Sequence, residues 1–323
     1  MRFVVYGAGA IGGAIAGRLF AQGHDVCCIA RGAHLDVMQR TGLRVVDPEH
    51  DVTLPVPAVG HPADAKLTSD DVVVLGMKTQ DTAAALDELA AVAPPDVAIV
   101  CAQNGVENER LALRRFAYVY AMCVMLPATH LEPGVIEISS TPVTGLLDLG
   151  CYPSGVDDRA RAIAAALQSS TFESVPRADV MRWKYTKLLM NLGNAVEALC
   201  APDEHAPELA RRARSEGAAT LRAANIDAAS REEDQERRGN LLTPKPIGGA
   251  PRGGGSSWQS LRRGTGRIES DYLNGEIVLI GRQHGVPTPV NALLQRLAND
   301  AAREGAPPGS IAADDVLRML AAD

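Results

Sequence analysis

Short apolar runs alternate with helical periodicity through the first half of the chain. Phe3 to Tyr6, Val26 to Ile29, Val72 to Leu75, Val97 to Cys101 and Val119 to Met125 predict strands. Helical patterns fill the intervals: up to about Gln22, over Leu35 to Arg40, over Thr82 to Val92, and from about Val106. This βαβ rhythm is the signature of a doubly wound parallel sheet. Val135 to Ile138 and Val143 to Leu147 read as a hairpin, a helix follows over Arg159 to Gln168, and the sheet is expected to close near Val175. Beyond Pro176 the pattern changes. Long amphipathic stretches take over (Val180 to Leu199, Pro207 to Ala224, Ile268 to His284, Val290 to Arg303) and strand patterns disappear. The expected organisation is therefore α/β over residues 1–176 and all-helical over 177–323.

Composition supports two folded domains. The chain has 323 residues, 46% of them hydrophobic and 22% charged, enough apolar material for real cores. A net charge of −7 excludes a general affinity for nucleic acid, which needs surplus Lys and Arg. Six cysteines show neither a CxxC pair nor a metal-ligand rhythm, so neither disulfides nor zinc are expected. The apolar run at the amino terminus is too short for a signal peptide or a membrane span, which gives a cytoplasmic expectation. Only five lysines occur (Lys66, Lys78, Lys184, Lys187, Lys245). Any lysine inside a motif gains interest, because it can lose its proton on burial and an arginine cannot.

Gly7, Ala8, Gly9, Ala10, Ile11 and Gly12 follow a predicted strand directly and open a predicted helix. In that context the GxGxxG spacing signals dinucleotide binding on a Rossmann-type sheet. Gly7 permits the tight turn, Gly9 lets backbone approach a pyrophosphate, and Gly12 lets helix pack on strand. Where an acid would bind the adenosine ribose of NAD, after the second strand, stands Arg31. A guanidinium there suits a 2′-phosphate, so NADP(H) is expected. Lys78 and the Gln103-Asn104-Gly105 turn stand at the carboxyl ends of two further strands, where ligands bind in such sheets. Asn104 could reach both the nicotinamide ribose and a substrate.

Three features converge in the second half: Trp183 to Asn191 with Lys187 four residues before Asn191, Ser256-Ser257-Trp258, and Ile268 to Gly275 with Glu269 and Asn274. Hydride arriving at a ketone carbon leaves charge on oxygen, and a buried lysine could stabilise and protonate it. Lys187 and Asn191, at i and i+4, would share a helix face. A carboxylate such as Glu269 could orient the lysine. With the amino-terminal fingerprint, these motifs resemble the ketopantoate reductase family over roughly residues 1–300. The resemblance implies a Rossmann domain joined to an all-helical domain. It also implies Lys187 as the catalytic lysine, Glu269 as the acid that holds the substrate hydroxyl, and Asn104, Asn191 and Ser257 as substrate contacts. Arg31 and Lys78 would lie on the adenosine side of NADPH. The implied reaction is reduction of 2-dehydropantoate to pantoate, in pantothenate biosynthesis. Lys184 is a rival for the catalytic role, but only Lys187 precedes a Leu and stands four before an Asn.

Two departures from the family pattern stand out. The family usually carries an Asn eight residues after the lysine, where this chain has Ala195, with Asn194 one position earlier. On a continuous α-helix, Asn194 would lie about 20° from the direction of Lys187 and Ala195 about 80°, so either Asn194 takes over that contact or the substrate differs. Arg231 to Ser257 is rich in charge, then in Gly and Pro, and reads as a solvated loop or a mobile flap. A reductase of another small 2-oxo acid, and a dinucleotide sensor without catalysis, are the competing readings. Long helices in the second half offer faces for a homodimer.

Overall fold

The computed structural model describes residues 1–249 and 253–322. Its strands are β1 (Phe3–Tyr6), β2 (Val26–Ile29), β3 (Leu43–Val46), β4 (Asp51–Leu54), β5 (Ala58–Val59), β6 (Val72–Leu75), β7 (Ala98–Cys101), β8 (Tyr118–Met125), β9 (Ala128–Thr129), β10 (Val135–Ile138), β11 (Ser140–Pro142), β12 (Gly145–Cys151), β13 (Phe172–Glu173) and β14 (Leu242–Pro244). Its α-helices are α1 (Ala10–Ala21), α2 (Gly32–Thr41), α3 (Thr79–Ala90), α4 (Asn108–Leu113), α5 (Asp158–Gln168), α6 (Val180–Asn191), α7 (Asn194–Leu199), α8 (Ala206–Ala223), α9 (Arg231–Arg238), α10 (Ser256–Arg263), α11 (Asn274–His284), α12 (Pro289–Glu304) and α13 (Ala313–Ala322).

The chain divides into two compact units. The first comprises Met1–Lys184 and Ser230–Arg252, the second Tyr185–Ala229 and Gly253–Asp323. The division thus falls inside α6 rather than after Pro176, and a segment from the second half of the sequence belongs to the first unit.

In the first unit an eight-stranded sheet runs in the order β13-β12-β8-β7-β6-β1-β2-β5. Pairing is parallel except where β12 meets β8. Both faces are covered: Val5, Cys28, Val74 and Val100 pack in one cluster, Val4, Ile29, Val73 and Ile99 in another. Such burial explains why the strands read as continuous apolar runs. Strand order reverses around β1, with β2 on one side and β6 on the other, and open α/β sheets bind ligands outside that reversal.

A second sheet, β4-β3-β10-β9, packs on α1. A Cβ on Gly13 would lie 2.7 Å from Ile136 Cδ1, and one on Gly17 would lie 2.7 Å from Val45 Cγ2. The small residues of α1 thus admit β3 and β10. This corrects the hairpin expectation for residues 135–147. Ile136 and Ile138 are buried in the small sheet, while Gly145–Cys151 pairs antiparallel with β8, register Leu147 to Val124. The long buried strand β8 takes β12 as its neighbour, which leaves β10 for β3.

The solvated-loop expectation for the segment from Arg231 is corrected in part, since residues 231–244 carry a helix and a strand. Ser230 and Glu233 form a capping box that starts α9. Arg182 grips the Glu233 carboxylate with two hydrogen bonds, 2.8 and 2.7 Å. Arg237 does the same to Asp148, at 2.8 and 2.7 Å, and Arg177 adds a third contact to that acid at 2.7 Å. Farther on, β14 pairs antiparallel with β11. Local capping and charge pairs, of which only Asp148 is a buried member, hold a helix that has no buried residue of its own. Residues 250–252 of the Gly/Pro stretch lie outside the described residues.

The second unit is helical. The amphipathic stretch from Val180 breaks at Leu192-Gly193 into α6 and α7, and Asn274 Nδ2 donates to the buried Leu192 carbonyl at 3.1 Å. Asn274 is itself fixed by Asn291 (3.0 Å), which binds the Ala213 carbonyl and Glu216. No helix among the described residues is long and apolar enough to cross a membrane. All six cysteines are free.

Candidate active site

The glycine-rich connection β1–α1 stands at the strand-order reversal. Gly7 has φ +94°, and a Cβ there would come within 2.6 Å of the Met77 backbone nitrogen. A Cβ on Gly12 would fall 2.2 Å from the Gly7 carbonyl. Gly9 differs: the nearest atom to its imagined Cβ is His130 Nδ1, 3.8 Å away, so space is open above it. Gly9 is the N-cap of α1, no side chain caps the helix, and its first turn carries no acid. Ala10 and Ile11 thus present backbone donors at the positive end of a helix, which favours a phosphate. These features fit a dinucleotide pyrophosphate.

His34, on α2, braces this loop. Its Nδ1 accepts from the Gly134 N–H at 2.8 Å, so the proton resides on Nε2, which donates to the Ala8 carbonyl at 2.8 Å. Burial pushes its pKa down, against the opposing pull of the Ala8 hydrogen bond. Sequence reading missed His34; its place three residues after Arg31, one turn into α2, was the available signal.

Arg31 stands at the end of β2 as the N-cap of α2, its side chain 84% exposed. Its nearest acid is Asp81, 3.3 Å away in the first turn of α3. Lys78 is the N-cap of α3, just past β6. Asn104 follows β7, half-buried, with its Oδ1 lacking a hydrogen-bond partner among the described residues. The first unit therefore gathers Gly7 to Gly12, Arg31, Lys78 and Asn104 along the carboxyl edge of one sheet.

Behind that edge lies a buried polar network the sequence did not reveal. Gln103 Nε2 donates to Thr82 Oγ1 (2.8 Å), Thr82 donates to Asn108 Oδ1 (2.8 Å), and Asn108 Nδ2 donates to Thr79 Oγ1 and to the Asn104 carbonyl (both 3.1 Å). Each of these residues follows a sheet strand into a helix, so its position was legible, but its partner was not.

In the second unit, Lys187 and Asn191 lie on α6 one turn apart. Lys187 is half-buried, Asn191 only 4% exposed. The amide Nδ2 of Asn191 has no hydrogen-bond partner among the described residues. Ser257, in the first turn of α10, and Glu269, in a single 3₁₀ turn before α11, are buried at 3% and 4%. Asn194 opens α7, and its Oδ1 lies 3.7 Å from where a Cβ on Gly255 would stand. The Gly255 N–H donates to Glu197, also on α7, which ties α7 to the start of α10. The break at Leu192-Gly193 removes the continuous helix assumed in comparing positions 194 and 195. Ala195 is nonetheless buried in the core, and Asn194 borders the Ser257 segment.

A doubly wound sheet with a glycine turn suited to a phosphate, followed by a helical unit carrying buried polar side chains, fits the class of dinucleotide-binding oxidoreductases. The family model for ketopantoate reductase PanE/ApbA matches residues 3–153, and its C-terminal counterpart matches residues 179–302. A 2-dehydropantoate 2-reductase from Mesorhizobium japonicum is 30% identical, over 92% of this chain and 98% of its own length. The chain belongs to the ketopantoate reductase family. Among solved structures, a PanE/ApbA family ketopantoate reductase from Ralstonia eutropha superposes with a TM-score of 0.79 at 26% identity, covering 94% of this chain and 99% of that one. A D-mandelate dehydrogenase solved with NADH and anilino(oxo)acetate shares the fold, with a TM-score of 0.79, 20% identity and coverage of 94% and 99%.

Proposed function

We propose that this chain reduces 2-dehydropantoate to pantoate with NADPH, with Lys187 as the general acid. The observation that carries the reading is the burial of Asn191, Ser257 and Glu269, with the Asn191 amide nitrogen unpaired among the described residues. An unsatisfied buried donor costs about 1–3 kcal/mol, a cost that a bound polar substrate would remove. The curated relatives named 2-dehydropantoate 2-reductase support the same substrate.

Gly7 to Gly12 would hold the pyrophosphate, Arg31 the 2′-phosphate, Lys78 the adenosine side, and Asn104 the nicotinamide ribose. The bound cofactor supplies a hydride. Lys187 gives its proton to the oxygen of the reduced carbonyl, so the ketone becomes an alcohol, and the lysine regains a proton from solvent. Asn191, Ser257 and Asn194 bind the polar groups of the acid. Glu269 accepts from the new hydroxyl. A reducing, cytoplasmic setting suits the six free thiols, and a homodimer is the expected assembly.

A second reading keeps this chemistry and changes the acid. It is favoured by Ala195, whose buried methyl group offers no hydrogen bond where the family pattern has an amide. NADPH consumption measured with 2-dehydropantoate and a panel of 2-oxo acids decides between them. Turnover of 2-dehydropantoate alone or best supports the first reading; turnover of another acid only would replace it. Lys187→Ala should lower kcat by about 10²–10⁴-fold while NADPH still binds. Unchanged turnover in that variant would remove Lys187 from the chemistry.

A further inference from the structure

Within the first unit, Lys184 and Glu109 form an ion pair of 2.6 Å with side-chain exposures of 2% and 0%. The contact is close but off the line of a good hydrogen bond, and neither Glu109 oxygen has a hydrogen-bond partner among the described residues. What Lys184 does bond is backbone: its Nζ donates to the Gln103 carbonyl at 2.9 Å. The next carbonyl, of Asn104, is held by Asn108 at 3.1 Å. Gly105, with φ +78°, then turns the chain. The main chain is therefore clamped on both sides of Asn104, while the Asn104 side-chain oxygen has no partner of its own.

A buried Lys–Glu pair is a poor stabiliser, because desolvation of two charges consumes most of their attraction, and apolar residues of similar volume often do as well. Such residues could not bind the Gln103 carbonyl. The use of the pair is then the directed donor it brings to the β7 turn, with Glu109 as the counter-charge beside it. We infer that Lys184 is a positioning residue that presets the Asn104 amide for the nicotinamide half of the cofactor, distinct from Lys187. The inference rests on the proposed role of Asn104.

The test uses the Lys184→Met/Glu109→Leu double variant, which leaves no lone buried charge, so its thermal midpoint should match the parent. Affinity for 2′,5′-ADP, which has only the adenosine half, should be unchanged. Affinity for NADPH should fall, and kcat should fall about 10–100-fold, the range a displaced contact produces. Asn104→Ala should cost activity in the parent but little more in the double variant, since the two act through one contact. Lys184→Gln/Glu109→Gln, which returns a neutral donor, should recover much of the lost kcat.

Full NADPH affinity and kcat in the stable double variant, or an equal Asn104→Ala loss in both backgrounds, would overturn the positioning role alone. A parent that binds 2′,5′-ADP but is indifferent to Asn104→Ala would overturn the role of Asn104 and the inference with it. Failure of both double variants to fold would make the pair structural and likewise overturn it.

Discussion

At the scale of single residues, the fingerprint glycines Gly12 and Gly9 are needed for different reasons, and substitution separates them. Gly12 has no room: its Cβ would sit 2.2 Å from the Gly7 carbonyl, so backbone must move. Gly12→Ala should therefore destabilise the protein, by about 1–3 kcal/mol as overpacking does. At Gly9 the Cβ meets nothing closer than 3.8 Å, and φ is an ordinary −70°. Gly9→Ala should leave the thermal midpoint in place and weaken dinucleotide binding, because the methyl occupies the approach to the helix terminus. Titration with NADPH alongside thermal melts checks both. Unaltered NADPH affinity in folded Gly9→Ala would mean that the pyrophosphate lies elsewhere.

Among the elements, α9 depends most on charge. Asp148 receives Arg237, Arg177 and the Val175 N–H, and its side chain is 6% exposed. Burial alone would raise its pKa, but hydrogen bonds from Arg237 and Arg177 overcome this and hold it below the ordinary 3.8. A carboxyl depressed in the folded state contributes stability that is present above its unfolded pKa. That contribution is lost as pH falls below 3.8 through the lower folded value. Acidification should thus release α9 in that window. Asp148→Asn should release it at neutral pH, at about 1.5–3 kcal/mol, because two part-buried arginines lose hydrogen bonds to a charged partner. Amide exchange over residues 231–238 is the measurement, and full protection in Asp148→Asn would refute the dependence. This element also marks where the sequence stopped being legible. The strands β1, β2, β6, β7 and β8 could be read from their apolar runs because the sheet is buried on both faces. The ends of those strands carried Arg31, Lys78 and Asn104 into view. A helix such as α9, with no apolar stripe and its partners 50 to 90 positions away, leaves no periodic trace. Likewise β3 and β4 are short, partly exposed strands that pack on the glycines of α1. The network around Asn108 joins residues that only the fold brings together, and the break after Asn191 depends on Asn274, far along the chain.

For the whole molecule, the sharpest consequence concerns which dinucleotide stabilises it. All residues proposed to hold the cofactor belong to the first unit, and the chain carries a net charge of −7, so attraction for an anionic ligand has to be local. Arg31 is the proposed source of that attraction, and it does not support the fold. Its side chain is 84% exposed and its pairing with Asp81 spans 3.3 Å, an arrangement of little value to stability in water. Removing it should therefore leave the melting temperature of the free protein unchanged. Ligand linkage should change instead. A dinucleotide at a hundred times its Kd adds about 2.7 kcal/mol to the unfolding free energy of whatever unit it binds. NADPH should raise the transition in which the first unit unfolds by more than NADH does at equal concentration. In Arg31→Ala the two shifts should converge, through loss of the NADPH excess. Added salt should narrow the difference in the parent and do little in the variant, because the contact is exposed and screened. Equal shifts with both dinucleotides in the parent, or equal losses in the variant, would show that Arg31 does not read the 2′-phosphate.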